Sequence, residues 1–347
     1  MSKKEYYRLD KILSCAAQYN ILLGQRSNGK SYAVKEFCLN DYFKNDNKFI
    51  LIRRFDDEIK ENIIGSYFDD IPIEKISNNE YQGIIYYRKG FYLAKVNEDG
   101  ELKRCLQVGK CISLSKEQNY KSTVNTQYNN LIFEEFISTN MYLSNEPTKL
   151  LNLVSTIARD RAVKVFLIGN TISRVCPYFT EWSLNRIPRQ AQGTIDIYNF
   201  EIDNAKIKIA VEYCKSSGGK NLMFFGSSAS MINKGAWEVK NYPHIDKRNE
   251  WQDIYKIVVN KSNFKFLCTL LKRDNNYVWF IEPKTSEIKP NTRIISDIFD
   301  TSIMSTVGFI PLNNNEKIAF DLLLKFKKVF YSDNLTATDF NTCIKSF

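Results

Sequence analysis

An α/β fold organised around a mostly parallel sheet is what this sequence predicts, on three observations. Short apolar runs recur through the first half of the chain, stretches with helical spacing separate them, and one run leads directly into G-x-x-x-x-G-K-S. The first run, Asn20 to Leu23, enters Gly24-Gln25-Arg26-Ser27-Asn28-Gly29-Lys30-Ser31. That order of residue types is a phosphate-binding loop: Gly24 and Gly29 let the backbone fold into a nest of N–H groups, Lys30 neutralises the β- and γ-phosphate oxygens, and Ser31 holds Mg²⁺. All eight residues are therefore expected to bind ATP. The spacing of Ala33, Val34, Phe37 and Cys38 predicts a helix from Ser31 to Asn40, whose positive dipole end also faces the phosphates.

Further strands are expected at Phe49 to Ile52, Leu131 to Phe133 and Val165 to Ile168, with a helix over Lys149 to Ile157. Between the second and third strands, Ile84 to Tyr87, Phe91 to Val96, Leu102 to Val108 and Cys111 to Leu114 are short and alternating. Lys89-Gly90 and Glu98-Asp99-Gly100 punctuate them, so they read as a β-hairpin insertion. After Ile207 to Val211 the composition changes to Cys214-Lys-Ser-Ser-Gly-Gly-Lys220 and Phe225-Gly-Ser-Ser-Ala-Ser230, which reads as an interdomain connection. The expected division is 1–208 for the nucleotide domain, 209–248 for the linker region and 249–347 for a small α+β domain. In the last, Ile254 to Val259, Phe264 to Leu271 and Val278 to Glu282 form an antiparallel meander, followed by an amphipathic helix from about Glu316 to Tyr331.

Leu131-Ile132-Phe133-Glu134-Glu135 is an apolar strand ending in two acids. Such an end sets one carboxylate beside Ser31 and Mg²⁺ and the next toward the γ-phosphate, where it polarises the attacking water. Glu134 is thus the expected magnesium-side acid and Glu135 the catalytic one. Asn170, just past the strand Val165 to Ile168, is suited to sensing the γ-phosphate, or else belongs to a simple turn. Arg159-Asp160-Arg161 follows a helix, where a subunit surface presents a guanidinium to a neighbour's ATP or, in a monomer, only solvated charge. Arg53 and Arg54 are phosphate or DNA contacts, or an edge of the sheet.

Composition narrows the classes. With 347 residues, 44% apolar and 14% aromatic, the chain is globular and long enough for two cores. Its longest apolar runs are far too short to span a bilayer, and Met-Ser-Lys-Lys-Glu leads into no signal-like segment, so a cytosolic protein with no membrane partner is expected. The 8 cysteines are scattered singly without a C-x-x-C pair and read as reduced core residues. The 1 histidine, His244, lies in the loop-like Asn-Tyr-Pro-His-Ile-Asp and reads as a surface residue, so a histidine-based triad is not expected. A net charge of +10 favours a polyanionic partner.

These residues resemble those of the DNA-encapsidation ATPases of small Picovirinae-type podophages, terminase-like motors of the additional-strand (ASCE) P-loop class. The resemblance runs over most of the chain: Gly24 to Ser31 with Arg at its third position, Phe49-Ile-Leu-Ile-Arg-Arg-Phe55, Leu131-Ile-Phe-Glu-Glu-Phe-Ile137, Leu151 to Arg161, and Asn170 through Pro177-Tyr-Phe179. It implies that Lys30 and Ser31 bind ATP and magnesium and that Glu135 is catalytic. It also implies that Arg159 matches a finger acting on the neighbouring subunit of a homopentameric ring, with Lys121 a second basic residue near that boundary. Glu134 replaces the family's usual Asp, and Asp56-Asp57 follow Arg53-Arg54 where a relative carries a basic residue.

By the same resemblance the C-terminal domain is a vestigial nuclease of the RNase H type, and the first strand, Ile254 to Val259, carries no carboxylate. The implied function is ATP-driven translocation of double-stranded viral DNA into a preformed capsid. The implied partners are the portal vertex and a packaging RNA, and the implied location is the cytoplasm of the infected bacterial host, transiently at the procapsid portal. A P-loop kinase and an ATP-switched nucleic-acid clamp or loader are the alternatives.

Overall fold

The protein is described from a computed structural model, over residues 6–120, 126–138, 141–202, 205–217, 233–245, 248–288, 291–298 and 304–345. Its chain divides into two compact units. The first comprises the chain up to Ile172 with the described residues of 186–217 and 233–236; the second comprises Ser173–Asn185 and the residues from Trp237 on. Among the described residues no helix is long and apolar enough to cross a membrane.

The first unit holds a nine-stranded sheet of strands β1 Tyr19–Gly24, β2 Lys48–Arg53, β3 Gly83–Tyr87, β4 Gly90–Val96, β5 Leu102–Ser113, β6 Tyr128–Glu134, β7 Lys164–Asn170, β8 Ile195–Ile202 and β9 Ala205–Tyr213. Their order is β3-β4-β5-β2-β6-β7-β1-β9-β8. From β5 through β9 the neighbours pair in parallel. Strands covered on both faces must be apolar on both, which is why all six residues of β1 are buried. Strand β7 lies between β1 and β6, the inserted strand that defines the additional-strand class. Helices α1 Asp10–Ser14, α2 Lys30–Asn45, α3 Glu61–Ile64, α4 Ile73–Ile76 and α5 Glu146–Ala158 belong to the same unit.

Two expectations change here. Leu102 to Val108 and Cys111 to Leu114 are not separate strands. They are one strand, β5, whose first part pairs antiparallel with β4 and whose end pairs parallel with β2, so the hairpin insertion extends the main sheet. Gly109 makes that passage possible: the Phe49 ring occupies the space a side chain there would need, within an aromatic cluster of Phe49, Phe68, Phe91 and Tyr86 whose centroids lie 4.9 to 5.5 Å apart. The expected boundary after residue 208 falls inside β9, an interior strand paired with β1. Residues 214–217 and 233–236 also belong to the first unit, while 218–232 lie outside the described residues.

The second unit is a six-stranded sheet ordered β14-β13-β10-β11-β12-β15. Strands β10 Gln252–Lys261, β11 Phe264–Arg273 and β12 Asn276–Pro283 form the expected antiparallel meander. Strand β13, Arg293–Ser296, pairs parallel to β10, and β14, Ser305–Val307, parallel to β13. The helix expected over 316–331 ends at Leu324, because Phe326 and Lys328 take left-handed φ of 51° and 55°. The chain then forms β15, Val329–Tyr331, parallel to β12. Helices Asn314–Leu324 and Asn334–Ile344 supply Phe320, Leu323, Phe340 and Cys343 to a core with Trp279 and Ile281, and the Trp279 indole donates to Ala319 O at 2.8 Å.

Candidate functional site

The register of the parallel strands assembles the site. Gly24 pairs with Asn170, Glu134 with Ile168, and Ile52 with Phe133, so the carboxyl ends of β1, β7, β6 and β2 lie along one sheet edge. Open α/β sheets bind ligands outside that edge. There the structure has a cleft of about 1530 Å³ lined by Arg26 through Ala33, Glu134, Glu135, Gly169 and Asn170, together with Tyr6 to Asp10.

The loop has the expected backbone, with Gly24 at φ 144° and Gly29 at φ 99°, conformations that favour glycine, and α2 starts at Lys30. Lys30 is 4% exposed and its ammonium donates to Gln25 O at 2.6 Å and Asn28 Oδ1 at 3.2 Å. Burial lowers its pKa to about 8, against the opposing fields of Cys214 and Glu134. Ser31 lines the cleft, as do Arg26 and Ser27. Gly24 and Gln25 do not. The Gln25 amide oxygen is turned back to accept from Ser216 Oγ at 2.9 Å and Ser217 N at 3.0 Å.

Ser216, Ser217 and Gly235, described residues of the expected linker region, thus brace the loop. Gly235, at φ 69°, lies where a Cβ would meet Gln25 N at 2.7 Å, and its carbonyl accepts from Thr171 Oγ1 at 3.0 Å and Tyr213 Oη at 2.6 Å. Glycine and serine here serve close approach and hydrogen bonding. The N-terminal segment closes another side: Tyr7 N donates to Asn28 O at 2.9 Å, and Tyr7 Oη to Glu212 at 2.7 Å. No motif in the sequence marked it.

At the end of β6, Glu134 is nearly buried and Glu135 is exposed, with left-handed φ of 55°. Among the described residues, buried Glu134 Oε1 has no hydrogen-bond partner. With the Ser31 hydroxyl it supplies the hard oxygen ligands a magnesium ion takes, so these residues fit the ion. Arg53 is tied to both acids, 3.7 Å from Glu134 and 3.1 Å from Glu135, and to Glu58 at 3.1 Å. Arg54 is 6% exposed and held bidentately by Glu146 at 2.7 and 3.0 Å, so both arginines are ion-paired at the end of β2. Sequence reasoning missed Glu146, because its partner lies 92 residues away in the chain.

Arg159 caps α5 at φ 50°, is exposed, and does not line the cleft of its own chain. Arg161 differs, donating to Ile157 O at 2.8 Å and to Asn129 Oδ1. Lys121 lies outside the described residues. Asn170 ends β7 and lines the cleft.

A mostly parallel sheet with its phosphate loop between β1 and α2, and an additional strand between β1 and the acidic strand, has the fold of a P-loop NTPase of the additional-strand class. More narrowly, the chain belongs to the Podovirus DNA encapsidation protein (Gp16) family, whose model matches residues 1–290. It is 32% identical over 188 residues to the DNA packaging protein of Bacillus phage phi29, covering 53% of this chain and 52% of that one. To the DNA packaging protein of Bacillus phage B103 it is 34% identical over 169 residues, 48% of each. The match thus spans about half the length of these relatives. Among solved structures, the bacteriophage Phi-29 viral genome packaging motor assembly shares its fold at a TM-score of 0.56 and 22% identity, over 95% of this chain and 96% of that one.

Proposed function

We propose that the protein is the ATP-hydrolysing subunit of a motor that drives double-stranded viral DNA into a preformed capsid. The observation that carries this reading is Glu135, an exposed carboxylate at the mouth of a phosphate-loop cleft, in a chain of the encapsidation family. Lys30 and the loop N–H groups hold the β- and γ-phosphates, and Glu135 orients the attacking water. Asn170 senses the γ-phosphate. Ser31 and Glu134 would hold Mg²⁺, which would supply charge neutralisation at the phosphate oxygens. Arg159, exposed and outside its own cleft, acts on the ATP of the next subunit in a homo-oligomeric ring, taken as a pentamer. Lys121 is the secondary basic residue at that boundary.

The C-terminal unit is a nuclease-like relic. What supports this reading is that the run Ile254 to Val259 within β10 carries no carboxylate and that Asp274 sits in the turn between β11 and β12. Docking to the portal vertex or to a packaging RNA is its assigned role, in the host cytoplasm.

ATP turnover measured with and without duplex DNA tests the proposal. DNA-stimulated phosphate release that Glu135→Gln abolishes while nucleotide binding persists is the expected result. Phosphoryl transfer to a small acceptor would establish a kinase instead, and binding without turnover a clamp.

A further inference from the structure

Arg54 and Glu146 form a buried pair whose place in the fold gives it a task beyond stability. The Glu146 side chain is fully buried and that of Arg54 is 7% exposed. A pair of this kind gains little net stability over apolar residues of similar volume, because both charges are desolvated. What it does supply is direction. The Arg54 guanidinium leaves the end of β2 and donates to Glu135 O at 3.1 Å and Phe136 O at 2.8 Å, while its Nε and second amino group take both oxygens of Glu146. The rings of Phe133 and Tyr142 lie 5.7 and 5.1 Å from its centre. Glu146 is also fixed by the Leu143 amide, which donates to its Oε2 at 2.8 Å. Glu135 is therefore held from behind, by its own carbonyl and the next one.

The hold matters because Glu135 has φ of 55°, a left-handed conformation that a non-glycine residue keeps only when its surroundings enforce it. That conformation turns the chain sharply after β6, so that Glu134 and Glu135 both reach the cleft. Lysine cannot replace this guanidinium: an ammonium is a point charge, whereas the planar fork serves two carbonyls and a carboxylate at once.

We propose that Arg54, locked by Glu146, is a positioning residue for the water-activating carboxylate Glu135. It acts through the backbone of residues 135 and 136 and touches neither nucleotide nor water. The assignment rests on Glu135 being catalytic. Since Glu146 is also the first residue of α5 and Arg159 caps the other end, about 20 Å along at 1.5 Å per residue, the same lock anchors the helix that carries the arginine finger.

The test uses the full chain and compares Arg54→Lys, Glu146→Gln, Glu135→Gln and Arg54→Lys with Glu135→Gln, each checked for a cooperative thermal transition. For Arg54→Lys the expected result is a fall in kcat of tenfold or more, with KM and the affinity for a fluorescent ATP analogue within threefold of the parent. Glu146→Gln, which keeps shape and one acceptor, should fall in the same direction by about threefold or more. In the Glu135→Gln background, Arg54→Lys should lower residual turnover no further, since the group it positions is already gone. Parent-like kcat in Arg54→Lys, a loss confined to KM, or full additivity in the double variant would each overturn the proposal. So would loss of the folded state in both Arg54→Lys and Glu146→Gln, which would assign the pair to stability alone. Failure of the underlying reading is separately visible, because Glu135→Gln alone would then retain turnover.

Discussion

Nucleotide affinity should depend on pH through Lys30, and the size of the effect follows from its burial. In the nucleotide-free protein the ammonium is almost fully removed from water, and its pKa falls from 10.5 to about 8. A phosphate beside it restores the charged form, so binding takes up protons wherever the free protein is deprotonated. With that value, about three-quarters of the molecules carry charged Lys30 at pH 7.5 and about one-tenth at pH 9. The apparent affinity scales with the competent fraction, giving a loss of about eightfold across that interval. The sign is fixed by the direction of the shift. A lysine with a depressed folded value burdens the free protein at low pH: the cost is absent above 10.5, grows as pH falls, and is complete below about 8. It amounts to about 3 kcal/mol. Stabilisation by bound nucleotide should therefore be greater at pH 7.5 than at pH 10.

The assay is titration calorimetry with ATP in buffers of different ionisation enthalpy between pH 7.5 and 9, where the terminal phosphate stays ionised. About half a proton should be taken up per nucleotide at pH 8. Lys30→Met should bind weakly and without this pH dependence. Affinity constant within twofold from pH 7.5 to 9, with heats independent of buffer, would refute the reasoning and mean that the buried lysine is charged throughout.

Mixed assemblies address Arg159. Arg159→Ala and Glu135→Gln chains, each poorly active alone, should regain turnover when combined, because some interfaces then pair an intact Glu135 with an intact Arg159. No recovery in mixed rings verified by native mass measurement would place Arg159 outside trans catalysis. Gly109→Ala pushes a methyl into the Phe49 ring and should destabilise the first unit by about 1 to 3 kcal/mol, measured by denaturant unfolding. An unchanged midpoint would mean that the aromatic cluster yields without strain.

The backbone of the phosphate loop was legible in the sequence because its chemistry is local: two glycines, a lysine and a serine stand at fixed spacing between a strand and a helix. That Gln25 turns back to Ser216 and Ser217 was not. The parallel strands were legible for a related reason. Strands covered on both faces must be largely apolar, and Phe49 to Ile52, Leu131 to Phe133 and Val165 to Ile168 are so throughout, as is the run Asn20 to Leu23 after its buried first residue, Asn20.

Relations between distant segments could not be read this way. The sequence leaves Arg53-Arg54 as phosphate or DNA contacts or an edge of the sheet, and only the alignment of β2 beside β6 brings Arg53 to Glu134 and Glu135 and Arg54 to Glu146. The Gly- and Ser-rich stretch after β9 has the composition of a linker, yet its described part packs on the phosphate loop, since small residues serve close approach as well as flexibility. Composition reports what a segment is able to do by itself. Which partner it meets is decided by strand order and register, and these are settled by burial over the whole sheet.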